Sequence, residues 1–247
     1  MFSYNEYRNI ITLIQQHLLI VDFADVTSKT DNFCVVRHDI EFSIDRAAKL
    51  AEVENKLGIS TTYTVQLRNN TYNALSEKNI EQIHYIKSLG HCIALHQNPP
   101  YMSEKNLKEY VIKDIETLEH YYGFEVDRYA FHRPKQEQLA MYLEIPGKIN
   151  CYGKKYFNYF KGAEHRTLSD FDVRYLADSN HQWKYGHPIE IDFNTVSKLQ
   201  LNIHPFSWTE QGYENYGNFL SLVKERKNEM LYDMETENNT FPKELLL

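Results

Sequence analysis

Apolar stretches that run directly into His, Asp or Arg recur five times along this chain. They occupy Phe33–Glu41, Gly90–His96, Arg128–Pro134, Arg174–Ser179 and Leu199–Pro205. A short apolar run between polar residues is typical of a buried strand. Several strands that end in titratable side chains indicate one shared site, because the carboxyl ends of parallel strands meet at the same edge of a sheet. We therefore expect the five ends to converge on a single pocket.

Helical segments separate the first of these strands. Helices are predicted for Tyr4–Leu18, for Ile44–Leu57 between Ser43 and Gly58, from Ser76 to Leu89, and from Ser103 to Gly123. Strands are predicted for Phe33–His38, Thr61–Leu67, His91–His96 and Arg128–His132. Alternation of strand and helix with short connections predicts a parallel sheet with right-handed crossovers.

The second half of the chain is less regular. Further strands are predicted near Lys148–Tyr152, Asp172–Ala177, Ile189–Phe193 and Leu199–His204. The aromatic stretch Tyr152–Arg166 is interpreted as a loop over the pocket. A helix is expected from Glu214 to Tyr232, followed by a loose tail. Since α/β barrels often reach this size as one unit, all 247 residues, 1–247, are assigned to a single domain.

Composition narrows the classes of function. Lys and Arg total 27 against 34 Asp and Glu, a net charge of −7, which argues against nucleic-acid binding. No basic segment precedes an apolar run at the start, and no run is long enough to span a membrane, so a cytoplasmic location is expected. The 19 tyrosines suit stacking on sugar rings, but tyrosine more often fills ordinary packing interfaces.

The first strand carries the densest candidate chemistry, His38, Asp39 and Glu41. Carboxylates two residues apart point to the same side of an extended chain. One of them could bind a metal while the other accepts a proton from water. The alternative is structural, a salt bridge from Arg37 to Asp39 or Glu41 at the strand end.

Three histidines also end strands, at His96, His132 and His204. Together with Asp39 or Glu41, His96 and His132 form the mixed nitrogen and oxygen set that suits Zn²⁺ with one position left open. That leaves His204 as an acid or base near neutral pH. A single histidine at a strand end is more often structural than functional. Here a functional role is better supported for each histidine, because other titratable side chains also end strands.

The ordered motifs RHDIE, GHCIALH, FHRP, ADS followed by Trp, and IHP resemble the polysaccharide deacetylase superfamily, also called NodB-like or carbohydrate esterase family 4. They look most similar to its branch with an RHDVD-type first motif, associated with bacterial surface polysaccharides. The resemblance extends from about Phe33 to Trp208. It implies a distorted (β/α) barrel of about seven parallel strands and metal-assisted deacetylation of a sugar or sugar conjugate.

The resemblance assigns roles to residues of this chain. If its first motif has the form carboxylate-x-carboxylate, Asp39 is the general base and Glu41 a metal ligand. If it has two adjacent acidic positions, His38 occupies the position of the base and Asp39 is the ligand. The second motif makes His96 a ligand, Arg133 would orient the base, and His204 would be the general acid.

Two departures from the family pattern concern the metal. The family usually has a second histidine four residues after the first, where this chain has Pro100, and Glu41 stands where near relatives carry Asp. His132 is the expected replacement, from a neighbouring strand end. The sugar site would also include His38 and would be lined by the set Asp178, Trp183 and Trp208. The resulting hypothesis is a zinc-dependent deacetylase of an acetamido sugar, and its rival is a non-catalytic carbohydrate-binding or scaffold protein on the same barrel.

Overall fold

A computed structural model describes residues 1–27, 30–99, 103–157 and 173–246. Seven parallel strands form one curled sheet, a half-barrel with helices packed around it, which confirms the predicted distorted (β/α) barrel. The strands are β1 Phe33–Ile40, β2 Thr62–Val65, β3 Cys92–Gln97, β4 Arg128–Phe131, β5 Ile149–Asn150, β6 Arg174–Ala177 and β7 Lys198–Ile203. Their order in the sheet is β5-β4-β3-β2-β1-β7-β6, so β1 lies near the middle of the described sheet.

In the described ranges, six α-helices accompany the strands: α1 Tyr4–His17, α2 Ile44–Lys56, α3 Glu77–Ser88, α4 Glu104–Tyr122, α5 Gln136–Ala140 and α6 Asn215–Glu237. The helix boundaries follow local chemistry. The hydroxyls of Ser43 and Ser103 accept hydrogen bonds from the first turns of α2 and α4. Gly58 and Gly123 follow the same two helices with φ of 69° and 70°, a conformation that favours glycine. Among the described residues, no helix combines the length and apolar character needed to cross a membrane.

Strand β1 divides its side chains between two environments, because successive residues of a strand point to opposite faces. Cys34 and Val36 join the apolar cluster that packs against α1, whereas Phe33 and Val35 join the larger cluster of the core. The same alternation continues into the polar end of the strand. Asp39 therefore shares a face with Phe33 and Val35, and its neighbours in sequence point to the other side.

Two predictions of secondary structure are wrong. The segment Ile189–Phe193 is not a strand. Pro188–Glu190 forms a 3₁₀ turn, and the backbone N–H of Asn194 donates to the carboxylate of Asp192. The final helix continues to Glu237, five residues beyond the predicted end at Tyr232, so part of the expected tail is helical. Most of the predicted loop Tyr152–Arg166 lies outside the described residues.

Candidate active site

A cavity of about 350 Å³ opens at the carboxyl ends of the strands, where the sequence predicts a shared pocket. The strand-end residues Asp39, His96, His132 and His204 all line it, together with Glu41. They come from β1, β3, the residue after β4 and the residue after β7. Parallel pairing of these strands brings residues that are far apart in sequence to one mouth.

The polar centre of this cavity is formed by Glu41, His96 and His132. One potential ligand atom from each lies within 4.8 Å of the other two. The Nε2 atom of His132 is 3.1 Å from a carboxylate oxygen of Glu41. Asp39, the fourth residue of the predicted ligand set, lies beside this group, with Oδ1 3.7 Å from Nδ1 of His96.

The residues of this centre fit a divalent cation. His96 is only 1% exposed, and neither of its ring nitrogens has a hydrogen-bond partner among the described residues. A buried polar atom without a partner is costly, and a metal ion would satisfy it. Burial lowers the pKa of His96 to about 4, so at neutral pH its ring is uncharged, which is the form that binds metals. One carboxylate with two imidazoles is also a donor set that zinc accepts.

Asp39 is held below this centre by partners on three strands. Arg37 contacts both of its oxygens, at 3.0 and 3.3 Å. Thr64 of β2 and Asn202 of β7 each donate to one oxygen, at 2.9 and 3.0 Å. The sheet register explains these contacts, because Thr64 lies directly opposite Asp39 and Asn202 directly opposite Arg37. Burial alone would raise the pKa of Asp39, but the Arg37 charge, together with smaller contributions from His96, His204 and the Asn202 hydrogen bond, outweighs burial and holds that pKa well below its usual range.

His204 forms a dyad with a buried carboxylate. Its Nδ1 lies 2.7 Å from Oδ1 of Asp178, and its backbone N–H donates to the same oxygen. The other oxygen of Asp178 accepts from Nε1 of Trp208 at 2.6 Å. With Nδ1 committed to Asp178, Nε2 is the ring atom that approaches the metal-ligand candidate Glu41, at 4.0 Å.

The charge on His204 follows from these neighbours. Burial lowers the pKa of His204, and the hydrogen bond and negative charge of Asp178, with smaller contributions from Asp39 and Glu41, raise it to about 9. The ring therefore holds two protons at neutral pH in this arrangement, one bonded to Asp178 and one at Nε2, beside the cavity.

Several residues predicted for the sugar site lie elsewhere. His38 is fully buried on the opposite face of β1, where its Nε2 is 2.9 Å from Glu54 of α2. Trp183 packs against an apolar cluster, and Trp208 is fully buried within it. Asp178 supports His204 from below and is itself fully buried. None of these four residues lines the cavity within the described part of the chain.

Other side chains, which the sequence pattern does not single out, form much of the cavity wall. Three tyrosines, Tyr152, Tyr175 and Tyr185, line it. The hydroxyl of Tyr152 accepts from Arg37 at 2.8 Å, and that of Tyr175 accepts from Asn202 at 3.1 Å. Asn202 could have been found from sequence, because it stands two residues before His204 on the same face of β7. The chain has 19 tyrosines, and its sequence does not indicate which of them line a cavity.

Arg133 lines the cavity, and no hydrogen bond or ion pair joins it to Asp39 within the described residues. The guanidinium group that contacts Asp39 belongs to Arg37. Pro100, at the position of the family's second histidine, lies outside the described residues.

Comparison with known proteins finds solved structures that resemble this chain. No family model and no curated protein matches the chain. A family 4 acetyl xylan esterase from Clostridium thermocellum, in complex with a cobalt ion, is 13% identical, covers 78% of this chain and 84% of its own, and gives a TM-score of 0.41. The chitin deacetylase of Colletotrichum lindemuthianum is 15% identical, with coverages of 78% and 81% and a TM-score of 0.40.

A family 4 carbohydrate esterase from Bacillus anthracis matches over a longer stretch. It is 15% identical, covers 93% of each chain and gives a TM-score of 0.42. At identities and TM-scores this low, the function has to be judged from the side chains of this chain.

Proposed function

We propose that this chain is a metal-dependent hydrolase that removes the acetyl group from an acetamido sugar, in the cytoplasm and in bacterial surface-polysaccharide metabolism. The observation that carries the proposal is the convergence of Glu41, His96 and His132 beside the dyad of His204 and Asp178. The ordered motifs that contribute these residues support the choice of a sugar deacetylase.

Glu41, His96 and His132 would hold the cation, and one carboxylate with two imidazoles favours Zn²⁺. When bound there, such a cation polarises an acyl carbonyl and lowers the pKa of water. Two alternatives for the first motif were open from sequence. The geometry supports the carboxylate-x-carboxylate form, because Glu41 belongs to the cluster and His38 faces away from it.

Asp39 then has the role of general base. Its position is fixed by Arg37, Thr64 and Asn202, and it keeps its negative charge at neutral pH. A carboxylate held in one orientation loses little conformational freedom when it accepts a proton from water. Arg37, from the same strand, is therefore proposed to orient the base in place of Arg133.

His204 is proposed as the general acid. Asp178 fixes its ring through Nδ1, so Nε2 faces the cavity and can deliver a proton to the leaving amine. The base and the acid would thus act from β1 and from the end of β7, neighbouring strands in the sheet. This division of roles matches what amide hydrolysis requires, a proton removed from water and a proton given to nitrogen.

The metal site is tested by elemental analysis of protein purified without chelator. We expect about one divalent ion per chain, and loss of that ion in His96→Ala and His132→Ala while circular dichroism shows a retained fold. His120→Ala, a change on the exposed surface of α4, is the matched control and should keep the ion. Retention of the full complement of ion in both site variants would remove these histidines from the metal centre.

The reaction is tested on N-acetylglucosamine and its oligomers, by detection of released acetate. We expect turnover that chelation abolishes and added zinc restores. If the protein binds these sugars but releases no acetate with zinc, manganese or cobalt supplied, the barrel is a carbohydrate-binding protein and the proposed reaction is wrong.

A further inference from the structure

The carboxylates of the cavity all have basic partners. Asp39 contacts Arg37 and Glu41 contacts His132. Among the described residues that line the cavity, Arg133 is the single Arg or Lys. Its guanidinium makes no hydrogen bond or ion pair within the described part of the chain, and the residue is exposed. The cavity therefore presents a positive group for which the protein supplies no counter-charge there.

The backbone at Arg133 is unusual. Its φ is +48°, in the left-handed region that side chains other than glycine rarely adopt. The residue directly follows His132, whose backbone N–H still pairs with Gln97 of β3, and it directly precedes Pro134. The chain thus turns sharply after the last hydrogen bond of the sheet. An arginine stands at a position where glycine would adopt the same backbone conformation with less strain. Strain of this kind is often found at ligand sites.

A role for Arg133 in orienting the catalytic base is already filled. Both oxygens of Asp39 contact Arg37, and Thr64 and Asn202 supply further donors. Within the described part of the chain, no partner therefore accounts for an unpaired guanidinium carried on a strained backbone at the cavity wall. An arginine has a planar set of donors that matches the oxygens of phosphate or carboxylate, two bonds at a time.

We infer that Arg133 recognises an anionic group on the substrate, so that the preferred substrate is an acetamido sugar carrying a phosphate or carboxylate group. This inference rests on the proposed function for its sugar and acetyl parts, and on Arg133 for the anion. The protein as a whole carries a net charge of −7, so long-range attraction does not favour an anionic ligand. A local cation has to supply the preference.

The inference is tested by isothermal titration of zinc-supplemented protein with four probes: N-acetylglucosamine, its 1-phosphate, its 6-phosphate and N-acetylglucosaminuronic acid. We expect at least one anionic probe to bind roughly tenfold or more tightly than the neutral sugar, the usual size of a hydrogen-bonded charge pair. A preference confined to the phosphates or to the uronic acid identifies which anion is recognised.

Three variants separate charge from backbone strain. Arg133→Gln should bring the anionic and neutral probes within about twofold of each other, and Arg133→Lys should retain part of the preference because it keeps the charge without the planar donors. Arg133→Gly should lose the preference like Gln while its melting temperature does not fall, since glycine accepts the positive φ. Lys49→Gln, which removes one exposed charge from α2, is the matched control and should bind like the native protein.

The outcomes distinguish this inference from the proposed function. If the neutral sugar binds and is deacetylated, and anionic probes gain nothing from Arg133, the inference is wrong and the reaction stands. If a phosphorylated probe binds in an Arg133-dependent way and no acetate is released, the anion site stands and the proposed reaction is wrong. Equal loss of anion preference in Lys49→Gln would assign the effect to net charge and overturn the role of Arg133.

Discussion

Replacement of Glu54 by Gln should destabilise the protein by an amount that depends on pH. Glu54 is fully buried on α2, and its carboxylate accepts from the hydroxyls of Thr61 and Tyr63, both at 2.7 Å, and from that of Tyr7. His38 of β1 lies 2.9 Å from the same carboxylate. The cluster connects α1, α2 and β2 to the strand that carries Asp39, so its loss would also loosen the support of the site.

The magnitude follows from the pKa of Glu54. Burial raises that pKa, but the charge and hydrogen bond of His38, with contributions from His91 and Tyr63, outweigh it and lower the pKa to about 2, from a usual value of 4.5. A group with a depressed folded-state pKa stabilises the protein fully above its unfolded pKa, and loses that contribution as pH falls through the folded value. At about 1.4 kcal/mol for each pKa unit, the ionised group contributes on the order of 3 kcal/mol near pH 5.5, which lies above its unfolded pKa.

The same linkage gives the expected value in acid. Near pH 3.5 the unfolded carboxyl is mostly protonated and the folded one mostly ionised, so the contribution falls to about 2 kcal/mol. Urea unfolding followed by circular dichroism, with native protein and Glu54→Gln compared at about pH 5.5 and 3.5, measures this difference. Comparison of the two proteins cancels the titration of other acids. The titratable groups that face Glu54 directly are the rings of His38 and His91 and the hydroxyls of Tyr7 on α1 and Tyr63 on β2.

Glu116→Gln, an exposed change on α4, is the matched control and should alter the free energy of unfolding by less than about 0.5 kcal/mol. A destabilisation by Glu54→Gln that is the same at both pH values would show that the ionised carboxylate is not the stabilising species. A destabilisation below about 1 kcal/mol at either pH would refute the buried-charge reasoning altogether.

Three further changes test the acid side of the site. His204→Asn should lower kcat roughly 10²-fold or more while elemental analysis finds the metal content unchanged, whereas loss of the metal would make His204 a ligand. Asp178→Asn should lower kcat similarly and should also lower the melting temperature, because either orientation of its amide brings NH₂ against an N–H donor of His204 or Trp208. Trp208→Phe should cost about 1–3 kcal/mol in urea unfolding, because it leaves one oxygen of the buried Asp178 without its donor.

The fold was predictable because several independent patterns agree. Serine caps and glycine stops mark the ends of helices, and apolar runs with polar ends mark the central strands. The strand prediction for Ile189–Phe193 was wrong because the apolar residues of this segment alternate as they would in a strand. Ile191 and Phe193 do pack against the core, but Asp192 forms a turn with Asn194 that strand geometry would not allow.

Strand alternation predicts which side chains of the first motif line the cavity, and it was applied to Asp39 and Glu41 but not to His38. The side chains of Asp39 and Glu41 both line the cavity, which agrees with the rule that residues two apart point to the same side of a strand. The same rule excludes His38, one residue away on β1, whose side chain faces Glu54 of α2. The dependence of Asp39 on Thr64 and Asn202 could not be read from sequence alone, since it requires the register of β1 with both of its neighbours.

The two carboxylates of the first motif differ in their surroundings, and this difference supports their different proposed roles. Asp39 is enclosed by donors from β1, β2 and β7, so its oxygens are oriented and its charge is balanced within the protein. Glu41 lies beyond the end of β1, where its longer side chain reaches His132 across the cavity mouth. A carboxylate within 4.8 Å of two imidazoles suits metal binding. A carboxylate whose orientation is fixed by a salt bridge suits proton transfer. The structural and catalytic interpretations of RHDIE are therefore compatible, because the salt bridge from Arg37 is what holds the proposed base in position.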